Sequence, residues 1–387
     1  MKKQIHLVIV RSGGSIINFS SYNCQELGLA KALSKKGWKV SIILAGHTYR
    51  EERIEIMGGK EVTVYSMTFK ALNQQLAQFE GMERLLEKLH PDLIQIHEFG
   101  MWMSFTVTRW AQKHQVKTCL IQGSYRPTQK PIFKQLELLF NATFGKYVLN
   151  RVQGIGYKSP QAEKYIRQYT GKKCLPTIGL DEERFYHTES KEWRKMPETE
   201  NKHLLLYVGT LESRRNPLFL LDVMERLPDN YLLMIAGDGI LKEKLKKDIQ
   251  DRNLEQKCVI LGKLRQEELP ALYKASDLFL LASDYEIYGM VILEAMYFGT
   301  PVISTLTAGA EVLITSGEDG MIIPNKKADT WSHVIAELCN DTTKLTAMSS
   351  RASKKITDEL VWDKASERFI ELYNNITEMK TKGFYPH

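Results

Sequence analysis

The sequence predicts an α/β protein built from two Rossmann-like, doubly wound parallel-sheet domains. Short apolar runs, such as residues 5–10 and 203–208, alternate along the chain with longer segments of helical spacing. This alternation is typical of buried parallel strands joined by crossover helices. The pattern starts again after the polar segment 186–202, and a length of 387 residues suits two domains. We therefore expect one domain over residues 1–190 and a second over residues 203–360.

The composition is that of an ordinary globular protein, with 43% hydrophobic and 26% charged residues. The N-terminal apolar run is short and resembles a first strand more than a signal peptide, and nowhere is an apolar run long enough to span a membrane. Five scattered cysteines without CxxC spacing favour reduced thiols, which indicates the cytoplasm. The net charge of +7 suits anionic substrates, an anionic membrane surface at which the protein would be peripheral, or simply solubility.

The segment 278–304 is the centre of the functional prediction. An apolar run, residues 278–282, reads as a buried strand, and a loop with Glu286 and Gly289 follows it. A helix is expected from near Gly289 to Gly299, and then a second buried strand. The loop therefore lies at the carboxyl end of a parallel strand, where open α/β sheets bind their ligands.

Two carboxylates and two backbone amides in this segment suggest the ligand. Glu286 lies in the loop and Glu294 in the helix, with the N–H groups of Met290 and Val291 between them. Helix N-termini bind phosphate, and carboxylates accept hydrogen bonds from sugar hydroxyls. Glu294 is surrounded by apolar residues, so its burial would require partners. A phosphorylated, hydroxyl-rich ligand is indicated; the alternative is that both acids are solvated.

Two further loops follow predicted strands. Arg214 and Arg215 come after the strand 203–208, where paired guanidinium groups suit a diphosphate or form a solvated surface pair. Gly13 and Gly14 come after the first strand, where they allow close approach of a diphosphate or only a turn.

Residues 72–89 are predicted to form one helix that precedes the strand 92–97. His97 ends this strand and is either a contact to a sugar or a structural histidine. Residues 126–151 interleave basic and apolar side chains. This amphipathic stretch either faces a core with a solvated basic side, which is the commoner arrangement, or lies on an anionic membrane that carries a lipid-linked acceptor.

Several spaced motifs together resemble the retaining glycosyltransferases of family 4, which have the GT-B architecture. The matching segments, in family order, are Gly13-Gly14, Asp92…His97, Gly179-Leu-Asp181…Phe185, Tyr207-Val-Gly-Thr-Leu…Arg215, Ile235-Ala-Gly-Asp-Gly239, Gly262-Lys-Leu…Tyr273, Glu286…Glu294 and Gly299-Thr-Pro-Val-Ile303. The Glu286…Glu294 pair, with its internal Gly289, matches the E-x7-E motif of that family. The resemblance covers nearly the whole chain.

The resemblance implies two Rossmann-like domains that face a central cleft, with the acceptor bound by the first and the nucleotide sugar by the second. It also implies that the last helix, within residues 363–387, packs back on the first domain. The implied catalytic residues are Glu286 for the transferred sugar, Arg215 for the leaving diphosphate and His97 facing the sugar. The implied donor-binding residues are Gly13, Gly14, Thr210, Arg214, Leu264, Gly289, Met290, Val291 and Glu294, the last on the ribose. Thr210 replaces the first arginine of the family motif, while Gln95 and Gln122 replace histidines.

These implications predict a retaining glycosyltransferase that moves a sugar from a nucleoside diphosphate sugar, of the UDP or GDP type, to a hydroxyl acceptor. The acceptor is expected to be a glycan or a lipid-linked molecule, in polysaccharide or glycoconjugate biosynthesis, and no nucleic acid is expected to bind. A DxD-like motif is missing from suitable loops, so no metal is expected to be required. The alternatives are a nucleotide-sugar epimerase and a non-catalytic subunit that binds nucleotide sugar.

Overall fold

A computed structural model describes residues 4–17, 24–56, 58–128, 131–186 and 192–378. The chain forms two compact units, the first from residues 1–181 with 362–387 and the second from residues 182–361.

The polar segment 186–202 predicted a domain boundary within it. In the structure the boundary lies earlier, between residues 181 and 182. Phe185 packs against Tyr297 and Phe298 of the second unit, with ring centroids 5.9 and 4.9 Å apart. Trp193 is buried, and Arg194 pairs with Asp277 at 2.5 Å. Aromatic burial therefore draws residues 182–186 and 192–202 into the second unit.

The first unit is built on an eight-stranded sheet, accompanied by a separate two-stranded ribbon. Its strands are β1 (His6–Val10), β2 (Lys39–Ala45), β3 (Arg50–Ile56), β4 (Lys60–Met67), the ribbon strands β5 (Phe69–Lys70) and β6 (Gln78–Phe79), β7 (Leu93–His97), β8 (Lys117–Gln122), β9 (Gly154–Tyr157) and β10 (Cys174–Pro176). The sheet order is β10-β9-β8-β7-β1-β2-β4-β3, and only the β3–β4 pair is antiparallel. β3 is charged and exposed, which protects this edge from pairing with another chain.

Helices cover this sheet and connect its strands. They are α1 (Gln25–Lys35), α2 (Met82–Leu89), α3 (Trp102–Lys113), α4 (Pro131–Phe140), which continues through a π-helical turn (Asn141–Gly145) into α5 (Lys146–Arg151), and α6 (Pro160–Arg167). The helix predicted over residues 72–89 begins only at Met82. The β5–β6 ribbon takes up the residues before it, and Leu72 points into solvent at 93% exposure.

The second unit is a six-stranded parallel sheet with helices between its strands. The strands are β11 (His203–Val208), β12 (Tyr231–Ala236), β13 (Cys258–Gly262), β14 (Leu278–Leu281), β15 (Val302–Ser304) and β16 (Gly320–Ile322). The helices are α7 (Phe219–Met224), α8 (Lys242–Asp251), α9 (Leu269–Ala275), α10 (Met290–Tyr297), α11 (Ala308–Leu313), α12 (Ala328–Asn340) and α13 (Thr342–Glu359).

The strand order β13-β12-β11-β14-β15-β16 reverses between β11 and β14. Chain connections run outwards in one direction from β11 and in the other from β14, so the loops after these two strands diverge. Such a switch point leaves a crevice at the carboxyl ends of the strands, where α/β sheets bind ligands.

The last helix, α14 (Trp362–Glu378), belongs to the first unit. The Trp362 N–H bonds to the carbonyl of Leu180 at 3.0 Å, and the Trp362 ring lies against Gly28 and Gly179. A Cβ on Gly28 would come within 2.0 Å of this ring, so α1 needs glycine at that position. Among the helices in the described ranges, none combines the length and apolarity that crossing a bilayer requires.

Candidate active site

The loops that follow β11 and β14 are joined by hydrogen bonds at the switch point. The Asp284 N–H bonds to the carbonyl of Arg214 at 2.8 Å, and Arg214 Nη1 bonds to the carbonyl of Tyr285 at 2.7 Å. Asn216, in the left-handed conformation with φ 49°, donates from Nδ2 to the carbonyl of Ala282 at 3.1 Å. The two loops therefore form one surface, and Arg214 acts as a connector between them.

Glu286 and Arg215 meet on this surface. Glu286 is only 5% exposed and lies 3.1 Å from Arg215 Nη1, while the Ser283 hydroxyl donates to it at 3.0 Å. A buried carboxylate needs such partners, because desolvation strongly disfavours an unpaired charge. Neither Nε nor Nη1 of Arg215 has a hydrogen-bond acceptor of good geometry within the described ranges. Charge attraction therefore holds Arg215 to Glu286, and its guanidinium brings a positive charge to the surface formed by the two loops.

Gly289 starts α10 in the left-handed conformation, with φ 76°. This conformation is costly for residues with a side chain, and a Cβ here would also approach Ile292 to 2.9 Å. The Ile292 amide donates to the carbonyl of Gly289 at 2.8 Å. Met290 and Val291 precede it in the first turn, so their N–H groups lie at the positive end of the helix.

Gly309 of α11 packs directly against the backbone of the loop that contains Glu286. Its N–H donates to the carbonyl of Glu286 at 3.3 Å. A Cβ on Gly309 would lie 2.0 Å from the carbonyl oxygen of Tyr288. Only glycine therefore lets α11 approach the loop this closely.

Glu294 is 3% exposed, which agrees with the burial expected from its apolar neighbours. The hydroxyl of Tyr273, from α9, donates to Glu294 Oε2 at 3.1 Å. Burial and the nearby Glu294 charge raise the pKa of Tyr273 well above its ordinary value, so Tyr273 remains a donor at any physiological pH. The sequence pattern alone indicates no role for Tyr273, although this residue lies in the segment 262–273 that carries part of the resemblance.

The loop after β12 presses on the loop after β11. A Cβ on Gly237 would lie 1.9 Å from the carbonyl oxygen of Gly209, so these loops touch through their backbones. Thr210 is exposed on the same loop, and its carbonyl accepts from the Tyr207 hydroxyl at 2.9 Å. Leu264 is half-buried after β13. The predicted donor-binding residues of the second unit thus follow three strands of one sheet, β13, β11 and β14, with β12 between β13 and β11.

Gly13, Gly14 and His97 lie in the first unit, whereas the residues just described belong to the second. Gly13 and Gly14 follow β1. The Gly14 N–H bonds to the carbonyl of Gln74 at 3.4 Å, and a Cβ on Gly14 would approach Phe69 to 3.0 Å. Nothing lies within 4 Å of a Cβ built on Gly13. Gly14 is therefore closely packed, whereas the space beside Gly13 is open.

His97 is buried with both ring nitrogens engaged. Nδ1 lies 3.2 Å from Glu26 Oε1, and Nε2 lies 2.9 Å from Gln95 Nε2. The Gln95 side chain accepts in turn from the Tyr373 hydroxyl of α14 at 2.5 Å. Burial lowers the pKa of His97 to about 3, so the ring is neutral at pH 7, with Nδ1–H donating to Glu26. The predicted contact between His97 and a sugar stays a prediction.

Glu26, a residue that the sequence analysis did not single out, is the charged centre of this network. Burial disfavours its ionisation, but Arg11 lies 3.3 Å away and holds the pKa of Glu26 below its ordinary value. The Cys24 thiol also donates to Glu26 at 3.1 Å. An ionised Glu26 fixes the tautomer and orientation of His97, which makes Glu26 a positioning residue.

The low pKa of His97 predicts a specific acid sensitivity. The unfolded chain protonates this histidine near pH 6.5 and the folded chain near pH 3, so the free energy of unfolding falls as the pH is lowered between these values. One such group contributes a slope of about 1.4 kcal/mol per pH unit. Denaturant unfolding of His97→Gln between about pH 5.5 and 4.5 should show a slope smaller by roughly this amount. His47→Gln, at an exposed histidine, is the control; an equal slope in all three proteins would contradict a buried neutral His97.

The comparisons with known proteins agree with this architecture. Sucrose-phosphate synthase from Thermosynechococcus elongatus has a TM-score of 0.78 at 18% identity, over 97% of this chain and 100% of that one. HepE of Anabaena, in complex with UDP and glucose, has a TM-score of 0.72 at 16% identity, over 96% and 100%. The fold is the GT-B fold of glycosyltransferases, which confirms the predicted fold class.

Sequence similarity points to the same class of enzyme. Residues 189–355 match the family described as glycosyl transferases group 1. A D-inositol 3-phosphate glycosyltransferase of Corynebacterium urealyticum is 23% identical over 398 residues, which cover 92% of this chain and 90% of the relative. The match over residues 189–355 and this relative both support a glycosyltransferase function, as the motifs indicated.

Proposed function

We propose that the protein is a retaining glycosyltransferase of family 4 that takes a sugar from a nucleoside diphosphate sugar and gives it to a hydroxyl acceptor. The observation that carries this proposal is the buried Glu286–Arg215 pair beside the N-terminus of α10. A fixed guanidinium and a helix N-terminus together suit a diphosphate.

Each part of the site takes a role in this proposal. Glu294, held by Tyr273, accepts hydrogen bonds from the ribose hydroxyls, and Glu286 accepts from hydroxyls of the transferred sugar. Arg215 and the amides of Met290 and Val291 bind the diphosphate. Arg214 fixes the geometry between the two loops, and Gly13, Gly14, Thr210 and Leu264 contribute further donor contacts. The UDP that HepE binds supports UDP as the first candidate, with GDP as the second.

Catalysis in this proposal is electrostatic. As the bond between the sugar and the diphosphate breaks, negative charge accumulates on the leaving diphosphate, and Arg215 with the helix amides stabilises that charge. The acceptor hydroxyl attacks from the same face and passes its proton to the departing phosphate, which retains the configuration at the anomeric carbon. A metal has no step in this scheme. The acceptor is proposed to be a glycan or a lipid-linked molecule.

Thermal and denaturant stability against a panel of nucleotides tests the donor part of the proposal. A nucleoside diphosphate at a hundred times its dissociation constant should add about 2.7 kcal/mol to the free energy of unfolding. Glu294→Gln keeps the shape of the side chain but loses its charge, so we expect most of this gain to disappear. Each protein is compared with its own ligand-free baseline, because the Glu294→Gln change alters the partner of Tyr273.

Glu243→Ala, at an exposed position of α8, is the matched control and should respond like the wild type. The response should also persist with a metal chelator present. If UDP, GDP and the other diphosphates leave the stability of the wild type unchanged, the nucleotide-sugar proposal fails.

A separate measurement tests the stereochemistry. The anomeric configuration of the transfer product, determined by proton NMR, decides between retention and inversion.

A further inference from the structure

An apolar helix surface in the first unit faces solvent. Phe133, Leu136 and Leu139 of α4 are 54%, 59% and 64% exposed, and Phe144 of the adjoining π-helical turn is 37% exposed. The usual explanation of an amphipathic helix is that its apolar side packs on the core. Here these large side chains point outwards instead, and such clusters on a protein surface mark interaction sites.

Aromatic residues extend this surface. Phe144 has ring centroids 5.4 Å from Trp102 and 4.9 Å from Phe105 of α3, and 5.1 Å from Phe140. Trp102, Phe105 and Phe140 are all half-buried. Trp and other large aromatic rings are favoured where one end of a side chain is apolar and the other is wet, as in the interfacial layer of a bilayer.

The charge around this apolar surface has one dominant sign. Residues 126–151 contain five basic residues and one acidic residue, Glu137, a net charge of +4. Lys134 and Lys146 are exposed beside the apolar side chains, and the guanidinium of Arg151 lies 3.6 Å from the centre of the Tyr147 ring. Glu137 accepts from the Thr128 N–H at 3.0 Å, so it is held by its own chain.

We propose that the α4 surface, defined as Phe133, Leu136, Leu139, Phe144, Lys134 and Lys146, docks the protein on an anionic lipid bilayer. Exposed apolar and aromatic side chains would enter the headgroup region, while the lysines pair with anionic lipid phosphates. The basic charge distinguishes this occupant from an uncharged apolar partner. The docking itself does not depend on the donor; that it brings the enzyme to a lipid-linked acceptor rests on the proposed function.

Co-sedimentation of the full chain with vesicles tests the docking. The wild type should bind vesicles of phosphatidylcholine mixed with phosphatidylglycerol and bind pure phosphatidylcholine vesicles much more weakly, and added salt should weaken the binding. Leu136→Gln with Leu139→Gln should reduce the affinity for the mixed vesicles about tenfold or more, because two apolar side chains no longer enter the bilayer. Lys134→Gln with Lys146→Gln should reduce it about fivefold for each lysine.

The matched controls are Leu72→Gln and Ile240→Gln, which change side chains that are 93% and 87% exposed in other parts of the protein. Both should bind the mixed vesicles like the wild type. The α4 variants should keep the wild-type response to nucleotides, which separates loss of docking from failure of the proposed function. Equal sedimentation of wild type and α4 variants, or binding of neither to the mixed vesicles, would overturn the proposal. Self-association that is lost in the leucine variant, without vesicle binding, would overturn it in favour of a protein contact.

Discussion

Replacing Arg215 with alanine is expected to lower the rate of sugar transfer by about a hundredfold to a thousandfold. The guanidinium is fixed before the reaction by the loop after β11 and by Glu286 at 3.1 Å. A preorganised charge of this kind stabilises the transition state without the cost of reorganising solvent. Since negative charge grows on the diphosphate only as the bond breaks, we expect the loss mainly in the catalytic rate rather than in donor binding.

The measurement is single-turnover transfer at saturating donor, well below the unfolding temperature of each variant. Stability must be recorded in parallel, because Arg215→Ala also leaves Glu286 buried without its nearest cation. Arg215→Lys keeps the charge and should recover part of the rate. Arg226→Ala, at an arginine that pairs with Asp329 away from the loops, is the control. If Arg215→Ala transfers sugar within a fewfold of the wild type, Arg215 does not carry the leaving-group charge.

The position of the site could be predicted because it depends on chain order and burial alone. Uninterrupted apolar runs identified β11 and β14, and parallel strands place the loops after them at one edge of the sheet. Glu294 could be predicted to be buried because its neighbours in α10 are apolar on nearly all sides. These signals are local in the sequence, so a single sequence is enough to detect them.

Contacts between distant segments carried no such signal. Tyr273 and Gly309 reach the site from α9 and α11 through side-chain and backbone packing that periodicity does not encode. The strand β3 was not recognised because its charged sequence suits an exposed edge rather than a buried strand. In α4 the apolar residues do recur at helical spacing, but this spacing does not determine whether the apolar side of the helix packs on a core or faces solvent.

The hydrogen-bond partners of His97 could not be predicted from the local sequence either. The sequence offered a histidine at a strand end and, from the resemblance, a sugar contact. The structure adds Glu26 from α1 and Gln95 from the same strand, with Tyr373 of α14 behind it. Because three separate elements supply these partners, the neutral state of His97 follows from the fold and not from the motif.

Replacing Gly309 with alanine is expected to damage both stability and catalysis. The added Cβ would lie 2.0 Å from the carbonyl oxygen and 2.3 Å from the carbonyl carbon of Tyr288, which is backbone and cannot rotate away. Either α11 or the loop with Glu286 must then move, and overpacking of this kind costs about 1–3 kcal/mol or more. The Gly309 amide, which donates to the carbonyl of Glu286, would move with it. A displacement of about 1 Å at reacting groups can cost on the order of a hundredfold in rate.

Denaturant unfolding and single-turnover transfer on Gly309→Ala measure the two effects separately. Gly171→Ala makes the same chemical change where nothing lies within 4 Å of the added Cβ, so it should leave both quantities near their wild-type values. A Gly309→Ala protein that loses stability but keeps the wild-type rate would show that the loop recovers its geometry after the packing has shifted. A protein that loses rate far beyond its loss of stability would place α11 among the elements that hold Glu286 against Arg215.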